Sequence, residues 1–320
     1  MKTTVAACLL AALVSGAIAA QPYPTRPVRM IMPTSPGGAN DVMGRIVAQR
    51  LTEILGQQMV IDNRSGAGGA IGAEIAAGAA PDGYTLLVAT FATHTMVPLL
   101  HKKIGYDPVR DFVPVALYVV QYNMLSANPN FAPNTVKELI ALAKAKPGAI
   151  NYASAGPGST SHFTGLAFAK TARIDVTIVP YKGGGPAIAA LLAGEAQFNF
   201  GPLPATVPLI KSGRLKPIAV SGATRAAAMP DVPTVSESGL AGFTAAAWVG
   251  LAAPAKTPQS VIKRLAAAVE EAVNSSELRQ RLIGAGAEPS FKAPSAFAEF
   301  LREDREHHGK LVRELRLSPN

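Results

Sequence analysis

The sequence predicts an α/β protein built from two successive α/β blocks and a helical C-terminal segment. Short apolar runs alternate with helical patterns over most of the chain, and glycine-rich turns follow several of those runs. This alternation is typical of parallel βαβ units, whose ligands lie beyond the carboxyl ends of the strands. The length of 320 residues exceeds that of a usual domain, which has ~100–150 residues, and therefore predicts two domains.

The N-terminal segment, residues 1–20, is predicted to be a cleavable signal peptide. It contains Lys2, an apolar run over 5–13 and the small-x-small sequence Ala17-Ile18-Ala19. The apolar run is shorter than the ~20 residues that a membrane span requires, so we expect an exported, periplasmic or secreted protein. Because Cys8 is the only cysteine, the mature chain is expected to form no disulfide and to use no thiol chemistry.

The formal net charge of +9 is compatible with several kinds of partner. Lysine and arginine residues are scattered singly, and the sequence contains neither a long basic run nor a basic stretch interleaved with aromatic residues. Nucleic acid is therefore not an expected partner. A mild positive field would steer small anions toward the protein, although a basic charge without such a purpose is equally common.

The first block is predicted to contain three strands, each followed by a turn that could line a ligand site. The strand Val28–Met32 leads into a glycine turn over 33–41, and the helix after it, with Asn40 or Asp41 as N-cap, ends at Gly56. The other predicted elements are a strand over 59–63, a glycine-rich turn over 64–70, a helix over 71–80 and a strand over 84–90 whose end is the segment 90–94.

The second block repeats this order. A strand over 115–121 precedes it, and its first helix begins with a capping box formed by Asn134 or Thr135 with Glu138. The later predicted elements are a strand ending at 154, a helix from 159, a strand over 176–179, a helix through 193, strands over 196–200 and 217–221, and helices over 261–273 and 295–311. In the last helix, residues 302–308 are expected to form a solvated face.

Two strand–turn–helix stretches, 28–54 and 151–165, predict an anion site. Each contains glycines that let a ligand approach the backbone closely, and Ser159 and Thr160 are N-cap formers. The first N–H groups of a helix have no intrahelical partner and readily bind anions. We therefore interpret the two turns as the two sides of a clamp for a small anion.

Enzymatic motifs fail on spacing. Gly156-x-Gly158-x-x-Ser161 lacks the third glycine of a dinucleotide fingerprint, and the sequence contains no phosphate-loop, zinc-protease or nucleophile-elbow motif. Ser159 or Ser161 near His162 is the strongest argument for a hydrolase, but adjacent helical residues point about 100° apart, so the base would have to come from elsewhere, such as His94. The histidines lack metal-site spacing. We predict no catalytic residue, no metal and no cofactor.

A series of motifs in fixed order resembles one known family, the extracytoplasmic solute receptors of tripartite tricarboxylate transporters, called Bug proteins. The resemblance covers Tyr23 to about Leu315. The matching runs are Tyr23-Pro-x-Arg-Pro-Val-Arg29, Pro36-Gly-Gly-x-x-Asp41, Asp62-Asn-Arg-x-Gly-Ala-Gly-Gly-x-Ile-Gly72, Pro81-Asp-Gly-Tyr-Thr-Leu86, Tyr106-Asp-Pro-Val-x-Asp-Phe112, Asn151-Tyr-Ala-Ser154, Pro180-Tyr-Lys-Gly183 and Pro230-Asp-Val-Pro-Thr234.

The resemblance implies a type II periplasmic-binding-protein architecture. Each of two domains would be a mainly parallel sheet flanked by helices, with the ligand cleft between them and a chain that crosses twice. Domain 1 would comprise residues 21–123 and 222–320, and domain 2 residues 124–221. Such receptors are monomers that close around small carboxylates, or related amides, and hold them largely through backbone groups and bridging waters.

The resemblance also implies partners and contact residues. The ligand would pass to membrane permease subunits; a membrane sensor kinase as the partner, or hydrolysis of a small ester or amide, remains an alternative. Thr34-Ser35 replaces a usual aromatic-proline pair and Gly201-Pro202 a common Asp-Asn pair, so ligand identity does not carry over. The predicted contacts are Ser35, Pro36, Gly37, Gly38, Ala39, Asn40, Thr90, Ala92, Thr93, His94, Ser154, Gly158, Ser159, Thr160, His162, Tyr181, Phe200 and Pro202.

Four aromatic side chains have competing interpretations at this stage. His162, Tyr181 and Phe200 are equally compatible with core packing and with ligand contact. Trp248, in contrast, is expected to pack between the domains rather than to line the site.

Overall fold

The computed structural model describes residues 23–156 and 159–314. The predicted signal peptide and the predicted contact Gly158 lie outside the described residues. Among the described helices, none is both long enough and apolar enough to cross a membrane.

Strands and helices alternate through most of the described chain, in the order expected for an α/β protein. The strands are β1 (Val28–Met32), β2 (Met59–Asn63), β3 (Thr85–Thr90), β4 (Phe112–Ala127), β5 (Asn151–Ser154), β6 (Thr177–Pro180), β7 (Phe198–Pro202), β8 (Lys216–Val220), β9 (Ala246–Pro254) and β10 (Glu288–Lys292). The helices are α1 (Ala39–Leu55), α2 (Ala70–Ala77), α3 (Val97–Leu100), α4 (Val136–Ala145), α5 (Thr160–Ala172), α6 (Gly184–Ala193), α7 (Leu203–Lys211), α8 (Gln259–Asn274), α9 (Ser276–Gly284) and α10 (Pro294–Glu314).

The strands form one mixed sheet. Its order is β2-β1-β3-β9-β4-β7-β5-β6, and β8 and β10 also pair with β4. The pairs β1–β2, β1–β3, β5–β6 and β5–β7 are parallel, whereas every pairing of β4 and β9 is antiparallel. The expectation of mainly parallel sheets is therefore corrected: the parallel βαβ units flank a central antiparallel region.

The strand β4 runs through both halves of the sheet. Its residues from Phe112 to Tyr122 pair with β9, and those from Asn123 to Ala127 pair with β7. We predicted a strand ending at Gln121, because the polar residues that follow interrupt the apolar run. The chain returns to the first half after β8, so we propose the domain boundaries predicted above, near 123/124 and 221/222.

Helices cover the sheet on both faces. In the first half, α1, α8 and α9 pack on one face and α2 and α10 on the other, each over a separate apolar cluster. In the second half, α4 and α5 cover a core that contains Phe168, Phe198 and Phe200. The layers place the first turns of several helices at one edge of the sheet.

Local sequence signals explain several element ends. Thr135 caps α4 by accepting a hydrogen bond from the Glu138 N–H. The Glu138 carboxylate accepts the return bond from the Asn134 N–H, one residue before the cap, so the predicted capping box forms in a variant of its usual geometry. The N-cap of α1 is Gly38 rather than Asn40 or Asp41.

The expectation of a fully solvated 302–308 segment in α10 is also corrected. His308 is buried and only 8% of the Asp304 side chain is exposed. Both residues lie on the inward face of the helix, where they meet polar groups of the first half.

We expect Gly250→Ala in β9 to lower the free energy of unfolding by about 1–3 kcal/mol. A Cβ at this position would lie 2.5 Å from Phe297 Cζ and 2.8 Å from the Ala116 carbonyl oxygen, and that carbonyl is fixed by the sheet. Urea denaturation measures the change. Gly284→Ala at the end of α9, where a Cβ meets nothing within 4 Å, is the matched control and should be neutral or slightly stabilising; equal stability of the two variants would contradict the packing argument.

Candidate functional site

A cavity of about 340 Å³ opens at the edge of the sheet where the two halves meet. Its described lining contains no Lys, Arg, His, Asp or Glu side chain, so the site has no formal charge of its own. The lining residues are Thr34, Gly38, Ala39, Asn40, Met43, Gln121, Tyr122, Asn123, Ala155, Ser159, Thr160, Ser161, Gly184, Pro202, Pro204, Ala247 and Gly286.

Four helix N-termini border this cavity. They belong to α1, α5, α6 and α7, which are represented in the lining by Ala39, Thr160, Gly184 and Pro202. The first N–H groups of each helix have no intrahelical acceptor, and the peptide dipoles place partial positive charge at the same end. The cavity therefore attracts a negatively charged group without a positively charged side chain.

Asp41 holds the first turn in place. Its carboxylate accepts hydrogen bonds from the Gly37 N–H (2.9 Å), Arg45 Nε (2.9 Å) and Asn63 Nδ2 (2.8 Å). Burial acts to raise the pKa of Asp41, but the hydrogen bonds from Arg45, Asn63 and Gly37 outweigh it and hold the pKa below its usual value. The negative charge of Asp41 is thus neutralised within the turn and leaves the anion-binding face of α1 available.

Ser159 caps the opposing helix α5, as predicted. Its Oγ accepts a hydrogen bond from the His162 N–H (3.1 Å) and donates one to the Gly156 carbonyl oxygen (2.7 Å). The hydroxyl proton is therefore engaged in the turn. The Ser159 N–H is itself bonded to the Gly156 carbonyl oxygen at 3.1 Å, so Thr160 is the residue of this pair that can offer its backbone N–H to the cavity. The Thr160 hydroxyl has no partner among the described residues.

His162 supports the turn before α5 through Ser154 and does not line the cavity. Its Nδ1 lies 2.9 Å from Ser154 Oγ, which also accepts the Gly156 N–H at 3.1 Å. Burial lowers the pKa of His162, so the imidazole is neutral at neutral pH. Ser154 is fully buried, and neither residue of this pair reaches the ligand space.

Side-chain amides supply directional hydrogen bonds at the junction between the halves. Gln121 Nε2 donates to Asn40 Oδ1 at 2.8 Å, which fixes both amides. Asn123 is only 7% exposed, and its Nδ2 and the Thr34 hydroxyl are buried without a partner. Buried polar groups are normally hydrogen bonded, so these two atoms are unsatisfied groups in residues that line the cavity, although neither atom is itself exposed to it.

Sequence reasoning missed the contribution of β4 to this site. Gln121, Tyr122 and Asn123 line the cavity, but the sequence analysis placed them at or beyond a strand end and gave them no role. The sequence signal that could have identified them is the run of three polar or amphipathic residues directly after an apolar strand. Ala247 and Gly286 were also missed, because only the long-range path of the chain brings them here.

A smaller cavity of about 80 Å³ adjoins the first. Five of its residues were predicted contacts: Asn40, Thr90, Ala92, Ser159 and Thr160. Trp248 lines it as well, contrary to the expectation that this residue packs between the domains rather than lining the site. The described lining comprises Asn40, Thr90, Phe91, Ala92, Met96, Gln121, Ser159, Thr160, Phe163, Ala247 and Trp248.

Among the predicted contacts, eight line one or both cavities: Gly38, Ala39, Asn40, Thr90, Ala92, Ser159, Thr160 and Pro202. Nine others lie elsewhere in the described structure: Ser35, Pro36, Gly37, Thr93, His94, Ser154, His162, Tyr181 and Phe200. Ser35–Gly37 are exposed in the turn before α1, and the Tyr181 hydroxyl donates a long hydrogen bond to Glu195 at 3.4 Å.

His94 and Phe200 are core residues. The His94 ring packs on Phe112 with centroids 5.3 Å apart, its Nδ1 lies 3.0 Å from Thr93 Oγ1, and burial lowers its pKa to about 3. Phe200 is fully buried, with its ring 5.5 Å from that of Phe168. The predicted strand end at Thr90, before His94, is confirmed, whereas β7 ends at Pro202 rather than at Phe200. Both side chains turn inward.

The described residues do not form a catalytic pair or a metal site. His94 Nδ1 is hydrogen bonded to Thr93, and His162 Nδ1 is hydrogen bonded to Ser154. Neither imidazole is hydrogen bonded to the cavity residues Ser159 or Ser161. Within the described residues, no cluster of three or more His, Cys, Asp or Glu side chains could hold a metal ion.

An α/β fold with an uncharged cavity bordered by helix N-termini is an arrangement suited to a solute-binding protein. The chain belongs to the tripartite tricarboxylate transporter receptor family, since residues 43–317 match the family described as "Tripartite tricarboxylate transporter family receptor". The predicted family is thereby confirmed. Its members are periplasmic solute-binding receptors.

Three relatives illustrate the match. BugT of Bordetella pertussis (strain Tohama I) is 34% identical over 302 residues, covering 94% of this chain and 93% of BugT. The structure of R. palustris Rpa4515 with adipate has a TM-score of 0.80 at 32% identity and covers 93% of this chain and 100% of that one. MatC from Rhodopseudomonas palustris with bound malate has a TM-score of 0.74 at 35% identity, with 91% and 100% covered. These structures confirm the predicted fold class.

We expect Asp41→Asn to destabilise the protein by about 1–3 kcal/mol at neutral pH, because charge-assisted hydrogen bonds are lost. The pKa of Asp41 is lower in the folded state than its usual 3.8, so its stabilising effect is fully present above pH ~4 and is lost as the pH falls through the folded-state value. The stability difference between wild type and variant should therefore shrink below pH ~4. Chemical denaturation at several pH values measures it.

The exposed Asp231 supplies the control for this experiment. Asp231→Asn should change the free energy of unfolding little at any pH, since surface substitutions rarely matter. A stability loss in Asp41→Asn that is independent of pH would contradict the proposed role of the ionised carboxylate.

Proposed function

We propose that this protein is a periplasmic solute-binding receptor that holds a small carboxylate, or a related carbonyl or amide compound, in the 340 Å³ cavity. The observation that carries the proposal is the convergence of four helix N-termini on a cavity whose described lining is uncharged. The binding residues would be the eight cavity-lining predicted contacts together with Gln121 and Asn123.

The energetics of such a site are sufficient. A partly buried helix N-terminus contributes up to ~2 kcal/mol to the binding of an anion, and each hydrogen bond to a charged group adds ~1.5–3 kcal/mol. Three or four such interactions reach the ~8 kcal/mol of micromolar affinity. Backbone N–H groups in the first turns of α1 and α5, at Ala39, Asn40 and Thr160, can supply them.

The relatives support the ligand class. Rpa4515 was solved with adipate and MatC with malate, and both share the fold over more than nine-tenths of this chain. The family's name also supports delivery of the ligand to the membrane permease subunits of a tripartite transporter. We assign no catalytic role, because Ser159 uses its hydroxyl proton within the turn and no histidine base is bonded to it among the described residues.

We expect at least one member of a panel of small mono- and dicarboxylates to raise the melting temperature of the purified mature protein. Asn40→Asp should weaken binding of that ligand at least tenfold, because a negative charge ~4–6 Å from the ligand costs a few kcal/mol at the effective dielectric of a partly buried site. The introduced carboxylate can still accept the Gln121 hydrogen bond and suits a helix N-terminus, so the unliganded variant should remain folded. Isothermal titration calorimetry measures the affinity.

Asn130→Asp provides the matched control, since Asn130 is exposed in the loop after β4 and lies outside both cavities. This variant should bind as wild type does. The proposal fails if no carboxylate binds protein that has first been unfolded and refolded to remove carried-over ligand, or if Asn40→Asp binds as tightly as Asn130→Asp.

A further inference from the structure

The smaller cavity, which we call the aromatic chamber, has polar residues on the side shared with the main cavity and an apolar wall elsewhere. Its described walls include Phe91, Met96, Phe163 and Trp248, with Ala92 and Ala247 between them. It has a volume of about 80 Å³, enough space for a short hydrocarbon segment. No charged side chain belongs to its described lining.

The chamber begins where the anion-binding end of the main cavity stops. Both cavities are lined by Asn40, Gln121, Ser159, Thr160 and Ala247. Asn40 belongs to the first turn of α1, and Ser159 and Thr160 form the start of α5. A ligand whose carboxylate lies at these two helix N-termini therefore has the aromatic chamber directly beside it.

The aromatic walls are held in place by α10. Trp248 Nε1 donates a hydrogen bond to Asp304 Oδ2 at 3.2 Å, so the indole presents its ring to the chamber and keeps its polar group outside. The His308 ring lies between Phe91 and Phe163, with centroid distances of 4.8 and 5.3 Å. A wall fixed in this way is preorganised for an apolar group and loses little entropy on binding.

Two of the polar side chains that face the chamber, Thr90 and Gln121, are already paired. Thr90 Oγ1 lies 3.3 Å from Thr93 Oγ1 and accepts the Thr93 N–H at 3.2 Å, and Gln121 Nε2 bonds to Asn40 Oδ1. The helix N-termini that border the chamber, those of α1 and α5, are the ones that hold the first carboxylate. A second carboxylate in the chamber would have to compete for the same N–H groups or be buried without compensation, which is strongly unfavourable. A methylene group placed there gains from leaving water.

We propose that the receptor selects monocarboxylates with an apolar tail, with the carboxylate at the N-termini of α1 and α5 and the tail in the aromatic chamber. This inference rests on the proposed function and narrows its substrate class. Short dicarboxylates lack the apolar end that the chamber favours and are the weaker ligands.

Calorimetric titration of the mature protein with the straight-chain acids from propanoate to hexanoate, and with adipate, tests the inference. Affinity should rise about fourfold with each methylene that enters the chamber, and hexanoate should bind at least tenfold more tightly than adipate, which carries a carboxylate in place of the methyl group. Equal or tighter binding of adipate, or affinity independent of chain length, overturns the inference. If no carboxylate binds, the proposed function fails as well; if only dicarboxylates bind, the receptor function stands and this inference alone fails.

A variant that fills the chamber gives a second test. Ala92→Leu adds three carbon atoms to a wall of the chamber, so the ratio of hexanoate to propanoate affinity should fall toward one. Ala267→Leu on the exposed face of α8 makes the same substitution away from both cavities and should keep the wild-type ratio. A melting curve checks that the Ala92→Leu protein is folded. An unchanged ratio of hexanoate to propanoate affinity in the folded variant would contradict the placement of the tail. If the variant does not fold, the chain-length series on the wild-type protein decides the question.

Discussion

The long strand β4 is the constraint on which the rest of the structure depends. One continuous strand pairs with β9 up to Tyr122 and with β7 from Asn123 onward, so it fixes how the two halves of the sheet face each other. Ser221 ties the returning chain to the same point, because its hydroxyl accepts the Asn123 N–H and donates to the Ala245 carbonyl oxygen. Gln121, Tyr122 and Asn123 lie at this junction and line the cavity. Any ligand that contacts Asn123 therefore contacts the joint between the halves.

The charge arrangement around the cavity follows from where acidic residues are placed. Neither α5, α6 nor α7 has an acidic residue in its first turn, so the positive ends of these dipoles are not compensated by their own sequence. The first turn of α1 does contain Asp41, but Arg45 and Asn63 pair with that carboxylate inside the turn. A basic side chain in the cavity would pay a desolvation cost that backbone dipoles avoid, because the dipoles are oriented by folding itself.

Local signals predicted much of this architecture, and long-range contacts account for what they missed. The strands Val28–Met32, Met59–Asn63 and Asn151–Ser154 match the structure because short apolar or alternating runs bounded by turns define them. The strand β9 was missed because its residues are nearly all buried, and a run buried on both faces has no periodicity that separates strand from helix. Both predicted turns contribute residues to the cavity lining, Gly38 and Ala39 from one and Ser159 and Thr160 from the other. A turn does not, however, determine which side chains point into the cavity. His94 turns inward because the segment after β3 coils into a π-helical turn, Ala92–Met96.

The C-terminal helix α10 shows why a polar residue on an apolar stripe is informative. Phe297, Leu301, His308 and Val312 are buried on one face, and Asp304 falls on that same face by helical spacing. Buried polar groups require partners, and Asp304 finds them in the Trp248 indole N–H and the Thr95 hydroxyl. The indole would otherwise have to satisfy its N–H from the ligand space, where it would add a donor to the aromatic chamber. A helix remote in sequence from both turns of the clamp thereby keeps one wall of the site apolar.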